Sequence, residues 1–344
     1  AVMAHGFVSA LFFVLVSSTF CQGSECPRQD DIAPCECENN GGYLFLDCSQ
    51  VADEEELARV FKAEFPTATI NELHLIDNRG IKILENGIFG NISFGAVMII
   101  GGVLETIEGE AFQNSQQTLA WMRIYYVFSL SSFQLDGTFE HMILFEMEST
   151  NLTDFLMLNC PKMEKLRLVN NGFIVPQDPF THMPLLKTVE VSYLGGMKLP
   201  DILFTEIHTA LTEVYITMED VINLQVGPFQ NVSVETDIKL DFSDDSFTMQ
   251  EGALNGLESM KLELWLTATP TLEESIWRPL LNSDVTLVLN EITCDCNIKW
   301  LVSNSQFINQ IQYRGGLSDY EHPAKCSTGE NLADLDPADF ENCG

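Results

Sequence analysis

The stretch Met163-Glu164-Lys165-Leu166-Arg167-Leu168-Val169-Asn170-Asn171 decides the fold. Leu166 and Leu168 flank a charged residue, so an extended chain turns both leucines to one side and Arg167 to the other. The same arrangement stands at Ile70-Asn71-Glu72-Leu73-His74-Leu75-Ile76-Asp77-Asn78. Further apolar pairs follow at Val97/Ile99, Met122/Ile124, Phe145/Met147, Val189/Val191, Val214/Ile216, Ile238/Leu240, Leu262/Leu264 and Leu287/Leu289. From Leu73 to Leu287 the first members step by 24, 25, 23, 21, 23, 25, 24, 24 and 25 residues. A period of this size predicts a solenoid, in which each unit buries its apolar face only by stacking on the next.

The fuller copies read LxxLxLxxN: Met163, Leu166, Leu168, Asn171 in one and Ile70, Leu73, Leu75, Asn78 in another. Few copies keep the final asparagine, and Thr150 and Ser243 are among its substitutes. Downstream of most strands comes a phenylalanine: Phe89, Phe112, Phe180, Phe204 and Phe229, with Leu254 in the corresponding later place. These predict a second buried column on the outer side. From about Ile70 to Ile292 the pattern resembles the leucine-rich repeat. The resemblance implies an α/β solenoid, a horseshoe with a parallel concave β-sheet and a return segment on its convex face.

Of 344 residues, 46% are hydrophobic and only 19% charged, which suits a packed core rather than a disordered chain. Seventeen Lys+Arg stand against 50 Asp+Glu, a formal net charge of −33. Such a surface repels nucleic acid and anionic membranes and tolerates cationic partners. The start reads as a secretory signal: an apolar run from Phe7 to Phe20, then small residues at Gly23 and Ser24, although the leading region holds His5 and no Lys or Arg. A membrane anchor is the competing reading, but the run is short for a span and no second long apolar run follows. The predicted organisation is a signal peptide over 1–23, an N-terminal cysteine cap over 24–68, about ten repeats over 69–292 and a C-terminal cysteine cap over 293–344.

Ten cysteines occur, and Cys21 falls in the signal. Cys26, Cys35, Cys37 and Cys48 precede the repeats; Cys294, Cys296, Cys326 and Cys343 follow them. A solenoid exposes its core at both ends, and disulfides supply caps in an oxidising compartment. The two cysteines of a Cys-x-Cys rarely bond to each other. Each cluster therefore pairs first with third and second with fourth, as Cys26–Cys37, Cys35–Cys48, Cys294–Cys326 and Cys296–Cys343, or in the crossed alternative. Sets of four cysteines also bind zinc, a reading that secretion disfavours. Cys160, before Pro161, is either a small buried side chain or a reactive thiol.

Between the core pairs, the outward strand residues run His74, Met98, Arg123, Glu146, Arg167, Glu190, Tyr215, Lys239, Glu263, Val288. Parallel strands lie ~4.8 Å apart, so the alternating charges are lateral neighbours that hold the sheet in register. A charged docking stripe is the functional alternative. Over the first repeats, Ile76, Met98, Ile100, Trp121, Tyr125 and Leu144 predict an exposed apolar-aromatic patch, either a partner-binding site or a surface covered by the N-terminal cap or a loop.

Three sequons occur, at Asn91, Asn151 and Asn231, and predict glycosylation on the side of the solenoid. The six histidines, His5, His74, His141, His182, His208 and His322, make no zinc-binding spacing. No nucleophile elbow, phosphate-binding loop or dinucleotide fingerprint is present. Acidic clusters at Asp53–Glu56 and Asp241/Asp244/Asp245 follow from the density of acids, and the second lacks EF-hand spacing. The expectation is a chain without enzymatic activity, cofactor or metal.

Cys35-Glu36-Cys37, the run from Gly41 to Cys48, Phe65-Pro66 and the cap Cys294-Asp295-Cys296-Asn297-Ile298-Lys299-Trp300-Leu301 sharpen the resemblance. The last looks like the C-terminal flanking cap of extracellular leucine-rich-repeat proteins, with Trp300 and Leu301 on an amphipathic helix. Together these residues resemble the non-catalytic subunit of the Oplophorus luciferin 2-monooxygenase and its crustacean relatives. The resemblance implies a secreted binding or scaffold protein whose partner is another secreted protein, such as a small catalytic subunit. It carries over no catalytic residue. Innate-immune recognition and a structural role in extracellular matrix are the alternatives, and the sequence leaves the oligomeric state open.

Overall fold

A computed structural model describes residues 25–152, 158–171, 178–193, 203–205, 207–218, 223–224, 237–242, 248–253, 261–266, 272–283, 286–289, 291–314, 321–341 and 343. The stretch 1–23 expected to be a signal peptide, together with Asn231, Phe229, Leu254, Ser243, Asp244 and Asp245, lies outside these residues.

One sheet of 14 strands runs through the molecule. Ten of its strands carry the ten apolar pairs, from Thr69–Ile76 to Thr286–Leu289, joined in parallel in sequence order. Register follows the repeat. Leu73 lies opposite Val97, Val97 opposite Met122, Met122 opposite Phe145 and Phe145 opposite Leu166. Leu73, Val97, Met122 and Phe145 have no solvent-exposed surface, and Leu166 has 1%. A one-residue slip would turn this whole row into solvent, so the apolar alternation fixes the register.

The caps extend the same sheet. Tyr43–Asp47 pairs in parallel with the first repeat strand and antiparallel with Glu36–Asn40. At the other end Ile311–Arg314 adds to Thr286–Leu289 and turns back against Glu321–Pro323. Disulfides join Cys26 to Cys37, Cys35 to Cys48, Cys294 to Cys326 and Cys296 to Cys343. The acidic cluster before the repeats is structural. Asp53 accepts the Glu56 N–H at 2.8 Å to start helix Glu54–Val60, and Glu54 accepts the Lys82 and Ile83 amides at 2.6 and 2.9 Å.

On the convex side, Ile83–Leu84, Thr106–Ile107 and Ser132–Phe133 form a short parallel sheet, and Asn223–Leu224 pairs with Thr248–Met249. Inside them runs the phenylalanine column. Phe89 and Phe112 rings lie 5.0 Å apart, Phe180 and Phe204 5.3 Å apart, and all four are buried. The polar ladder is also buried. Asn78 donates to the carbonyls of Ser49 and Val51, while Asn171 donates to those of Met147 and Val169 and accepts the Thr150 hydroxyl at 2.6 Å. These bonds satisfy backbone groups that the turn out of each strand leaves unpaired.

The C-terminal cap holds Trp300 and Leu301 as expected, but on the short helix Lys299–Val302, followed by a second helix, Ser305–Asn309. The Trp300 indole donates to Leu272 O at 3.0 Å and lies 5.4 Å beneath the Arg278 guanidinium. Cys160 is fully buried beside the Met142 sulfur, and burial pushes its thiol up to about 12. That environment makes it an inert core side chain.

Candidate partner-binding face

The predicted outward column is a physical row. His74, Met98, Arg123, Glu146, Arg167, Glu190, Tyr215, Lys239, Glu263 and Val288 lie opposite one another along ten successive strands. In this row Val288 is only 2% exposed, where the repeats meet the C-terminal cap.

In the middle of the row the charges neutralise one another. Glu146 is 5% exposed and lies 2.9 Å from Arg123 Nε and 2.7 Å from Lys165 Nζ, and it accepts the Tyr125 hydroxyl. Burial alone would raise its pKa. The Lys165 and Tyr125 hydrogen bonds, with the Lys165 and Arg123 charges, outweigh burial and hold the carboxyl below its ordinary value. Arg167 does not pair with Glu146. Its Nε reaches Glu190 at 2.9 Å and its Nη1 reaches Glu148 at 2.5 Å. The ladder therefore uses diagonal as well as lateral partners.

The six apolar and aromatic positions fall into three rows. Ile76, Ile100 and Tyr125 share one register line, Met98 lies in the central line, and Trp121 and Leu144 share the third. Each is partly exposed. Arg123 crosses the Trp121 ring at 5.1 Å. The N-terminal cap does not bury the six. Instead its strand lengthens their face, placing Phe45 edge-on to His74 with ring centroids 4.3 Å apart. Glu72 accepts the Tyr43 hydroxyl at 2.8 Å and pairs with His74 Nε2 at 2.5 Å. Burial opposes ionisation of Glu72, but the His74 and Tyr43 hydrogen bonds hold its pKa below the ordinary value.

Two aromatic residues escaped the repeat pattern. Tyr126 and Phe128 lie beyond the strand end, where alternation no longer applies, and are 50% and 69% exposed. The signal that finds them is two aromatics flanking Val127, immediately after a pair-bearing strand.

Further along the sheet a shallow depression of about 300 Å³ is lined by Lys165, Glu190, Glu213, Tyr215 and Lys239, among others. Among the described residues, no three His, Cys, Asp or Glu side chains converge as a metal site, and no helix is long and apolar enough to cross a membrane. Asn91 and Asn151 are exposed.

No family model matches the chain. It is 27% identical over 324 residues to the Oplophorus-luciferin 2-monooxygenase non-catalytic subunit of Oplophorus gracilirostris, covering 92% of this chain and 87% of that protein. Among solved structures, it is similar to a chain of the octameric complex of latrophilin 3, Unc5D and the leucine-rich-repeat part of FLRT2. There the TM-score is 0.51 at 16% identity, over 90% of this chain and 99% of that one, a likeness of fold. The chain is a leucine-rich-repeat solenoid with disulfide-bonded cysteine caps, and it resembles the non-catalytic luciferase subunit along most of its length.

Proposed function

We propose that the chain is a secreted, glycosylated, non-catalytic scaffold that binds another protein through the concave face of its first repeats. The observation that carries this reading is the placing of Ile76, Met98, Ile100, Trp121, Tyr125 and Leu144, all partly exposed, on adjacent registered strands. Apolar-aromatic surface with arginine beside it is the composition of interface hot spots. The relative, named as the non-catalytic subunit of a monooxygenase, supports a carrier role beside a catalytic partner. Four disulfides support an oxidising compartment, and exposed Asn91 and Asn151 suit glycan attachment.

Native purification from secreted fluid, with mass spectrometry of co-eluting chains, tests the role. The native chain is expected to travel with a defined second protein, and Trp121→Asp to lose it. A lone monomer at every step, or the same partner with the variant, would contradict the proposal.

A further inference from the structure

Residues at or just past the strand ends stack in a column of their own: Asp77, Gly101, Tyr126, Ser149 and Asn170. All five have left-handed backbone, with φ between 50° and 62°. The column continues the hydrogen-bond ladder beyond the sheet. Asp77 N–H donates to Ile100 O at 2.7 Å, Gly101 N–H to Tyr125 O at 2.8 Å, Tyr126 N–H to Glu148 O at 2.9 Å and Ser149 N–H to Val169 O at 2.9 Å. The same conformation recurs with Asp, Gly, Tyr, Ser and Asn side chains. Glycine, asparagine and aspartate take it readily, and at Gly101 a Cβ would also meet the Asp77 carboxylate at 2.2 Å. A tyrosine is the costly choice. Backbone strain held in place by its surroundings points to a use for the side chain.

That side chain is not alone. Phe128 is the most exposed of the large apolar residues described, yet its turn is pinned from both sides. Val127 and Leu130 are fully buried, and the Leu130 amide closes the turn onto Val127 O at 3.0 Å. The Ser129 hydroxyl donates to Leu104 O at 2.8 Å, and Leu130 O accepts the Asn151 amide at 3.0 Å. The backbone that carries the phenyl ring is thus pinned, and the ring itself stands in water. The Tyr126 ring lies 6.3 Å from that of Tyr125, which joins this rim to the Ile76–Ile100–Tyr125 line of the concave face. Tyr125 gives its hydroxyl to Glu146. The negative charge of Glu148, aided by some burial and a hydrogen bond, pushes the Tyr126 phenol up. Glu148 also pairs with Arg167 at 2.5 Å, so the charge the rings share is that of the whole chain, net −33.

We infer that Tyr125, Tyr126 and Phe128 form a pre-positioned docking rim for a basic segment of a partner protein. Arginine or lysine side chains of that segment lie across the aromatic faces, drawn by the net negative charge of the chain. A pinned backbone lowers the ordering cost of binding. The inference rests on the concave face being a protein-binding surface, and it adds an anchor outside the sheet and the charge of the partner. A glycan on Asn151 would border the rim.

The test is fluorescence anisotropy of the full chain with two labelled peptides, one alternating arginine and leucine, the other glutamate and leucine. The arginine peptide is expected to bind saturably and the glutamate peptide not at all. Tyr126→Gly and Phe128→Ala are each expected to weaken binding roughly tenfold. Neither changes the net charge, so diffuse attraction to the acidic surface is unaltered. Tyr126→Gly should melt no lower than the parent, which separates lost binding from lost folding. Parental affinity in both variants, equal binding of the two peptides, or no binding of the arginine peptide overturns the inference. If Trp121→Asp loses the native partner while Tyr126→Gly and Phe128→Ala keep it, the concave-face reading stands and the rim falls.

Discussion

Glu146 shows how single residues in this sheet are constrained. It is a nearly buried carboxylate that exists only because Arg123, Lys165 and Tyr125 converge on it. Removing the charge leaves two cations without their common partner, so Glu146→Gln is expected to destabilise the fold by about 2 kcal/mol at neutral pH. The pH dependence has a definite sign. The folded pKa lies below the ordinary 4.5, so the contribution of Glu146 is complete above that value and is lost as pH falls through the folded pKa. Thermal melts of parent and variant should therefore differ most near neutral pH and converge in acid. A gap that stayed constant to pH 3 would contradict the assignment. The alternation of charges at positions 123, 146, 167 and 190 was legible in the sequence, because strand register follows from the apolar pairs. The choice of Glu148 as a partner of Arg167 was not, since diagonal reach depends on side-chain rotamers rather than on spacing. Tyr126 was hidden for a related reason, because left-handed backbone beyond a strand end leaves no periodic trace.

At the scale of elements, each repeat contributes an inner pair and an outer phenylalanine to one continuous core. The Phe112 ring packs 5.0 Å from Phe89 and 6.4 Å from Phe94, so it couples two neighbouring units. Phe112→Ala is expected to cost about 3–4 kcal/mol, measured by denaturant unfolding. The damage should concentrate in the first repeats, because a solenoid's stability is a sum of units and nearest-neighbour contacts. Uniform loss of amide protection out to the C-terminal cap would contradict that coupling. The pairs, the phenylalanine column, the asparagine ladder and the capping cysteines were all readable from the sequence, since each repeats in phase or brackets the repeats. The strands that the caps add to the sheet were not. Tyr43–Asp47 alternates like a repeat strand but lacks the rest of the unit, and Phe45 joins the concave face by pairing alone.

The molecule is an acidic solenoid in which Ile76, Met98, Ile100, Trp121, Tyr125 and Leu144 lie on the first four repeat strands of the inner sheet. Net charge −33 keeps such a surface in solution and speeds the approach of a cationic partner. Cations are scarce, with 17 Lys+Arg in 344 residues, and in the central ladder Arg123, Lys165 and Arg167 pair with glutamates of the sheet itself. On the proposed reading, the surface offered to a partner is aromatic and aliphatic. Oxidative footprinting of the free chain and of its native complex measures this most directly, through the reactivity of Met98, Trp121 and Tyr125 read by mass spectrometry. The account predicts that all three are modified in the free chain and protected together in the complex. Unchanged reactivity at these residues, with protection confined to the convex side or the C-terminal cap, would contradict it.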